Sequence, residues 1–432
     1  MKILYVSQYF PPEMGAPAAR VHELAREWVG LGHEVTVLTA FPHHPTGVIP
    51  AEYRGRLIRR EQVDGINVLR VPIYATPNRG VVRRALSYAS YAVSAATLGP
   101  VLLDKPDVII GTSPQFLTAL AGLSLAALKR APFIFEVRDL WPRSIVEVGA
   151  LREGSLSVRA LSLLETAMYR AADHIVVVAE SSVREIAAQG IPEKKISVVT
   201  NGVDLQLFQP RAQAEERRAL GIPEGFLATY IGTHGMAHGL GSVLDAAELL
   251  KDTPIQFLMV GEGAEKRSLQ ERAESMQLHN VTFWDQRPRS EVARIISASD
   301  VCLCVLRDQP LFRKVIPSKI FEYMGAGKPI VSTVDGEARA IIERAGSGIY
   351  SPPEDATALA AALRRLSTST AELAAMGQAG REHVERYYSR PALARRYLTI
   401  IDDVVRRGRG STNQPDVLGP ERPGDPTEQA DQ

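Results

Sequence analysis

Residues 317–331 hold the side chains whose types and spacing best suit chemistry. Ser318 suits the N-cap of a short helix, and Gly327-Lys328-Pro329 suits its end. Lys319 and Glu322 are three residues apart, so they project from one face of the first turn, where an anion is favoured. A carboxylate there can accept two hydrogen bonds from a ribose diol, and an adjacent ammonium can bind a diphosphate. The alternative is an exposed helix with an ion pair that contributes about 0.2–0.5 kcal/mol.

A glycine-rich turn, residues 232–239, follows a predicted strand. Backbone amides of such strand-to-helix turns can bind phosphate, and those of Thr233, His234 and Gly235 are the candidates here. His234 and His238 either contact a ligand directly or only shape the turn.

Further candidates lie in loops of the N-terminal half. Gly15 has no Cβ, so its backbone can approach a phosphate, although a flexible turn is the alternative. Asp139 directly follows a predicted strand, at the edge where sites of parallel sheets form, and could orient or deprotonate a hydroxyl. Alternatively it caps the next segment or pairs with a neighbouring arginine. His43 and His44 follow the second strand towards the same edge, and a loop role without chemistry is their alternative.

These residues are positioned by β-branched runs that alternate with amphipathic helical stretches, which predicts parallel α/β layers. The alternation pauses at a polar stretch, residues 203–225, and then restarts. Two doubly wound halves joined by this linker would enclose a cleft, faced by the carboxyl ends of the strands. The predicted strands cover residues 3–7, 34–39, 67–71, 107–111, 133–137, 174–178, 196–199, 227–232, 255–260, 281–284, 301–306 and 329–333.

Length and composition agree with this organisation. The 432 residues exceed one ordinary domain and suggest two domains of about 200 residues each. Fifty Lys and Arg against 49 Asp and Glu leave a net charge of +1, which argues against a dedicated nucleic-acid binder. Cys302 and Cys304 lie in an apolar run, which predicts a buried, reduced strand rather than a metal site, in a cytoplasmic protein. No Asp-x-Asp pair occurs, so we predict no divalent metal.

Two apolar segments bear on membrane contact. Residues 1–10 are too short an apolar run for a secretory signal and predict a buried first strand. The apolar stretch 85–103 follows Arg79, Arg83 and Arg84, and it predicts a buried core helix. A membrane-facing helix is one alternative, since basic residues beside an apolar surface attach proteins to anionic lipid. A true membrane span is the other alternative.

The stretch PSKIFEYMGAGKPIV, residues 317–331, resembles the sugar-donor segment of the retaining family-4 glycosyltransferases, which have the GT-B fold of two facing Rossmann-like domains. Further motifs resemble the family's and occur in its order, at residues 32–38, 199–204, 260–263 and 298–301. The resemblance implies an acceptor-binding domain at 1–205, a donor-binding domain at 206–385 and a helix at 386–406 that returns to the first domain. Beyond them, the tail 407–432 lacks an apolar period and is predicted to be disordered.

Residues 112–114 (TSP) and 136–142 (EVRDLWP) resemble one branch of the family, which adds deoxy-aminosugars or related residues during bacterial surface-polysaccharide assembly. This implies transfer with retention from a nucleotide sugar, usually UDP-linked, to a glycan or an undecaprenyl-diphosphate-linked acceptor, without a cofactor. A lipid-linked acceptor would suit a protein on the inner face of the cytoplasmic membrane. The resemblance implies that Glu322 binds the ribose, and that Lys319, Gly15 and the turn 233–235 bind the diphosphate. Ser318, Gly261, Glu262 and Gly263 are expected to contact the nucleotide. His43, His44 and Asp139 are expected to contact the acceptor.

The sequence departs from the family pattern at two places. Of two glutamates eight positions apart, the first is replaced by Lys314 and only Glu322 is retained, which affects the expected contacts to the donor sugar. The usual Arg and Lys after the first strand of the C-terminal domain are also missing. Positive charge is therefore expected from Lys319, or from Arg313 and Lys314. Two rival functions remain: a nucleotide-sugar epimerase of the same fold, and a catalytically inactive subunit that binds nucleotide or lipid.

Overall fold

The computed structural model describes residues 1–13, 15–44, 46–77, 81–113, 115–140, 154–222, 225–310 and 312–409. Within them, two sheets are flanked by helices on both faces. Most strands are continuous apolar runs because a parallel sheet covered on both sides is buried on both faces.

The N-terminal sheet has the strand order β3-β4-β2-β1-β5-β6-β7-β8, and β3 alone of these strands runs antiparallel to its neighbour. The chain leaves β1 for β2 on one side and later returns to pair β5 on the other. The carboxyl ends of β1 and β5 therefore form the switch point of this sheet, where ligands of α/β folds bind. The strands are β1 Lys2–Val6, β2 Glu34–Ala40, β3 Arg59–Val63, β4 Ile66–Val71, β5 Val108–Thr112, β6 Phe133–Val137, β7 His174–Val177 and β8 Ile196–Val198.

The second sheet is parallel throughout and has the order β11-β10-β9-β12-β13-β14. Its switch point lies between β9 and β12, since the chain moves from β9 to β10 and β11 before it crosses back to β12. The strands are β9 Phe226–Ile231, β10 Ile255–Val260, β11 Val281–Trp284, β12 Val301–Cys304, β13 Ile330–Ser332 and β14 Gly348–Tyr350.

Helices cover both sheets. The last helix, Arg390–Gly408, packs on the first one, Ala16–Gly30, where Trp28 donates from Nε1 to the carbonyl of Ala394 at 3.0 Å. In the N-terminal half the other α-helices are Val81–Leu102, Phe116–Lys129, Leu156–Ala171 and Glu180–Ala187. In the C-terminal half they are Gln213–Leu220, Gly241–Leu249, Lys266–Ser275, Arg289–Ala298, Lys319–Gly325, Glu337–Arg344, Ala356–Ser367 and Thr370–Tyr387. Short 3-10 helices lie at Ala51–Tyr53, Glu193–Lys195, Met236–His238 and Phe312–Lys314.

The predicted class of two doubly wound α/β halves is confirmed, and each predicted strand is present within one or two residues. β3 and β14 were not predicted because both are short edge strands without a fully buried face. Cys302 and Cys304 are free and buried in β12, as expected.

Helix Val81–Leu102 is buried on one side only, so the expectation of a buried core helix is wrong for its outer face. Tyr91 and Ala95 lie in the core. On the opposite stripe the exposed apolar residues are Val82, Leu86, Val93 and Val101, with relative exposures of 72%, 55%, 63% and 82%. Within the described residues, no helix combines the length and apolar character needed to cross a membrane. Arg79 lies outside the described residues, as does the tail from residue 410 onward.

Candidate functional site

Lys319 places its ammonium at the carboxyl edge of the second sheet. Nζ lies 4.1 Å from the centroid of the Tyr230 ring, and the buried nitrogen has no hydrogen-bond partner in the described part of the chain. Burial lowers the pKa of Lys319, although Cys304 and Glu322 partly oppose this. A buried cation without an acceptor is costly. An anionic ligand at this point would supply the missing partner.

The glycine-rich turn meets Lys319 directly. Gly232 has φ +151°, and a Cβ there would lie 2.6 Å from Lys319 Nζ. A Cβ on Gly261 would lie 1.9 Å from the carbonyl oxygen of Gly232, and one on Gly263 would lie 2.2 Å from that of His234. These glycines are therefore needed because the turns after β9 and β10 pack backbone against backbone. The amide of His234 also donates to the carbonyl of Glu262 at 2.9 Å.

The two histidines of this turn are neutral at physiological pH. Burial, together with nearby Lys266 for His234 and Lys319 for His238, lowers the pKa of each to about 4. His234 is fully buried between the rings of Tyr230 and Phe283, and neither ring nitrogen has a hydrogen-bond partner in the described structure. His234 thus packs within the turn, and the turn brings no charge of its own to a ligand. A direct ligand contact of His234 or His238 stays a prediction.

Glu322 is connected to the other half of the molecule. Its Oε1 accepts from Arg289 Nη2 at 3.1 Å, and Arg289 also pairs with Glu23 of helix Ala16–Gly30. Arg390 pairs with Glu23 as well. Burial raises the pKa of Glu322, while Arg289 opposes the rise. Sequence reasoning missed both Glu23 and Arg289. The available signal was a glutamate among the apolar positions of the first helix.

Lys314 and Arg313 are both engaged in ion pairs. Lys314 pairs with Glu185 of the N-terminal half, and Arg313 donates to Asp308 at 3.2 Å. The expectation that Lys314 faces a diphosphate therefore does not fit its contact across the cleft. Ser318 occupies the predicted N-cap position, but its side chain makes no capping hydrogen bond, so that part of the prediction is wrong.

A second contact joins the two halves beside Lys314. Glu337 accepts from the amide of Glu180 at 2.9 Å and from the amide and hydroxyl of Ser181 at 3.3 and 3.1 Å. Its carboxylate thereby satisfies the first amides of helix Glu180–Ala187. The halves are consequently held together along this side of the cleft.

On the opposite edge, Gly15 is the N-cap of helix Ala16–Gly30, with φ +130° and no side-chain cap. The Ser113 hydroxyl accepts from the amides of Arg138 at 2.7 Å and Asp139 at 3.4 Å. Asp139 is exposed there, at the end of β6. Residues 141–153 lie outside the described structure, so the predicted motif 136–142 is described only up to residue 140.

His43 and His44 lie in the turn after β2, and Glu13 holds this turn. Glu13 Oε1 accepts from both histidine amides at 3.0 Å, and burial raises the pKa of Glu13 to about 7. His43 is buried, with Nδ1 3.0 Å from the carbonyl oxygen of Phe41, whereas His44 is half-buried. Glu13 was not among the sequence candidates, since no spacing sets it apart. An acceptor contact for either histidine stays a prediction.

In the described residues, no three His, Cys, Asp or Glu side chains are grouped so that they could hold a metal ion. The groups brought together at the edge of the second sheet are instead an unpaired ammonium, two interlocked glycine turns and the Glu322 carboxylate. This arrangement suits a phosphate-containing ligand with a neighbouring diol.

Two family models match the chain in succession. The glycosyl transferase 4-like domain covers residues 15–202, and the glycosyl transferases group 1 domain covers residues 212–383. The chain therefore belongs to the family-4 glycosyltransferases of GT-B fold, as its motifs predicted.

Relatives and solved structures agree with this assignment. The chain is 26% identical over 415 residues to the glycosyl transferase WcaI of Escherichia coli strain K12, whose name refers to colanic acid biosynthesis; this covers 93% of the chain and all of WcaI. Sucrose-phosphate synthase of Thermosynechococcus elongatus has the same fold, with a TM-score of 0.72, 19% identity and coverage of 93% and 98% of the two chains. Anabaena HepE in complex with UDP and glucose gives a TM-score of 0.69, 16% identity and coverage of 93% and 99%.

Proposed function

We propose that this glycosyltransferase moves a sugar, with retention, from a UDP-linked donor to a glycan or an undecaprenyl-diphosphate-linked acceptor in bacterial surface-polysaccharide assembly. The name of WcaI supports the polysaccharide, and the complex of HepE with UDP supports the nucleotide. The observation that carries the proposal is the unpaired, buried ammonium of Lys319 against the glycine turn. An aminosugar as the transferred residue rests on the motifs at 112–114 and 136–142.

The proposed reaction proceeds at the edge of the second sheet. Glu322 exchanges Arg289 for the ribose hydroxyls, and Lys319 stabilises the negative charge that develops on the diphosphate leaving group. The bond from the anomeric carbon to the phosphate oxygen breaks as the bond to the acceptor oxygen forms. The acceptor proton passes to the leaving phosphate oxygen, so no protein base is required. Asp139 would orient the acceptor hydroxyl from the opposite edge.

Thermal unfolding with UDP, GDP, ADP and CMP tests the nucleotide site. A nucleotide at 100 times its dissociation constant stabilises the folded state by about 2.7 kcal/mol. We expect UDP to stabilise the wild type and to lose this effect in Glu322→Gln. Glu248→Gln, at an exposed position of the same half, is the matched control. Stabilisation by another nucleotide would mean that the donor carries that nucleotide instead of UDP. No stabilisation by any of the four nucleotides would contradict the proposal. A UDP-sugar incubated alone tests for epimerisation.

The exposed stripe of helix Val81–Leu102 is the proposed membrane contact. Arg83 and Arg84 lie at its start and are exposed, which suits an anionic lipid surface. Co-sedimentation with phosphatidylglycerol vesicles should fall in the double variant Leu86→Ser, Val93→Ser. Leu57→Ser, at an exposed position on the same half, is the control and should bind like the wild type. Equal binding by all three proteins would reject this surface.

A further inference from the structure

Arg307 lies at the switch point of the second sheet. It follows β12 by three residues, and β12 pairs with β9, whose carboxyl end continues into the glycine turn. One wall of this crevice is therefore the turn 232–239, and the other is the segment that ends at Arg307. Crevices of this kind are where ligands of α/β sheets bind.

The Arg307 side chain lies along the glycine turn. Its amide donates to the carbonyl of Ala237 at 3.0 Å. Gly239 has φ +59°, and a Cβ there would lie 3.1 Å from Arg307 Cγ, so the turn leaves space for this arginine. Arg307 consequently occupies the neighbourhood in which the turn itself has neither Arg nor Lys.

The guanidinium of Arg307 has unused hydrogen-bonding capacity. Nη2 donates to Glu265 at 3.3 Å, which is longer than an ordinary charged hydrogen bond. Nε is buried and has no partner within the described residues, while 42% of the side chain is exposed. A guanidinium stays charged and presents its N–H groups as a planar fork that matches phosphate oxygens. A phosphate could therefore bind it without the loss of a strong existing contact.

The charges around the turn leave a place for a second cation. His234 and His238 are neutral. Among the described lysines near the turn, Lys266 pairs with Glu262 and Asp285, and Lys314 pairs with Glu185, whereas Lys319 has no hydrogen-bond partner. A nucleoside diphosphate leaving group carries more than one negative charge. We propose that Arg307 binds the donor's diphosphate together with Lys319, in the role of the basic pair that the turn lacks. This inference rests on the proposed donor site.

Calorimetric titration with UDP and with uridine tests this assignment. Arg307→Gln should weaken UDP binding at least tenfold and leave uridine binding unchanged, because only UDP carries the diphosphate. Glu265→Gln should bind UDP at least as tightly as the wild type, since it removes the competing carboxylate. Arg267→Gln is the matched control: Arg267 is an exposed arginine of the same half, also paired with a glutamate, and the variant should behave as the wild type.

Several outcomes would overturn the role of Arg307. Equal UDP affinity in Arg307→Gln and wild type would do so, as would equal weakening of UDP and uridine. If the wild type binds neither, the proposed donor site fails by itself, and inorganic pyrophosphate becomes the probe. Pyrophosphate binding that Arg307→Gln loses would then still support the anion site. Absence of pyrophosphate binding to the wild type would reject it too. Thermal unfolding of each variant checks that it is folded.

Discussion

Glu136 at the edge of the first sheet and Lys319 at the edge of the second are both buried charges, and they differ in how far the fold itself satisfies them. On the first sheet, the buried Glu136 accepts from Arg20 at 2.9 Å, from Tyr5 at 2.6 Å and from Thr112 at 2.7 Å. On the second sheet, the buried Lys319 ammonium has no acceptor in the described structure. A charge with a full set of partners stabilises the fold, whereas one without them is available to a ligand. Chemical type alone does not separate these two cases.

The largest effect is expected from Arg20→Met, which tests the structural side of this comparison. Arg20 donates to Glu136 and to the carbonyls of Val199 and Thr200, so it ties β6 to the segment that connects the two halves. Burial raises the pKa of Glu136, but Arg20 and other partners keep it below its usual range. Removal of one partner of a buried pair costs about 3–5 kcal/mol. Denaturant unfolding should show this loss, and UDP affinity of the folded variant should be unchanged. A stable variant would mean that Glu136 is not held as the contacts indicate.

Lys319→Met tests the other side of the comparison. Loss of a group that stabilises a developing anion lowers kcat by about 100- to 1,000-fold. The same substitution removes a buried, unpaired charge, so the melting temperature should rise. Both are measured with the UDP-sugar that a donor screen selects, with Lys328→Met, a half-buried lysine on the same segment, as the control. An unchanged kcat would mean that Lys319 is a structural group like Glu136, and the difference in role between these two buried charges would disappear.

The buried Glu13 carboxyl adds a pH dependence to the N-terminal edge. Its folded pKa is raised to about 7 by burial, so the folded state retains a proton that the unfolded chain releases near its ordinary pKa. Its contribution to stability is therefore fully present below about pH 4.5 and falls as pH rises to about 7. Glu13→Gln removes this dependence. Between pH 5 and pH 8, its free energy of unfolding should therefore rise relative to that of the wild type by at most about 3 kcal/mol. Urea unfolding at both pH values measures it, and a pH-independent difference would contradict the assignment.

The shared position of Lys319 and Glu322 could be predicted from the sequence because both lie in the first turn of one short helix. Arg289 and Arg307 could not, since β11 and β12 bring them to the site through the strand order. Gly261 was a candidate and Gly232 begins the predicted glycine-rich turn, but their mutual contact depends on the pairing of Ile231 with Val260. Residue spacing thus predicts which side chains share one helix turn, whereas it does not predict which residues the strand order brings into contact.

The smallest effect on folding should come from Lys314, which replaces the family's first glutamate. Its pair with Glu185 is partly exposed, and such pairs contribute about 0–1 kcal/mol, so Lys314→Met should change stability by no more than this. Lys314→Glu restores the family residue but places a carboxylate against Glu185, across the cleft. Like charges at that position disfavour the contact between the two halves, which Glu337 otherwise supports. Small-angle scattering should therefore show a larger radius of gyration for Lys314→Glu than for Lys314→Met, and Glu185→Gln in the same chain should reverse the change. Equal radii would mean that the pair of Lys314 with Glu185 does not hold the two halves together, and that replacement of the family's glutamate by Lys314 has no effect on their contact.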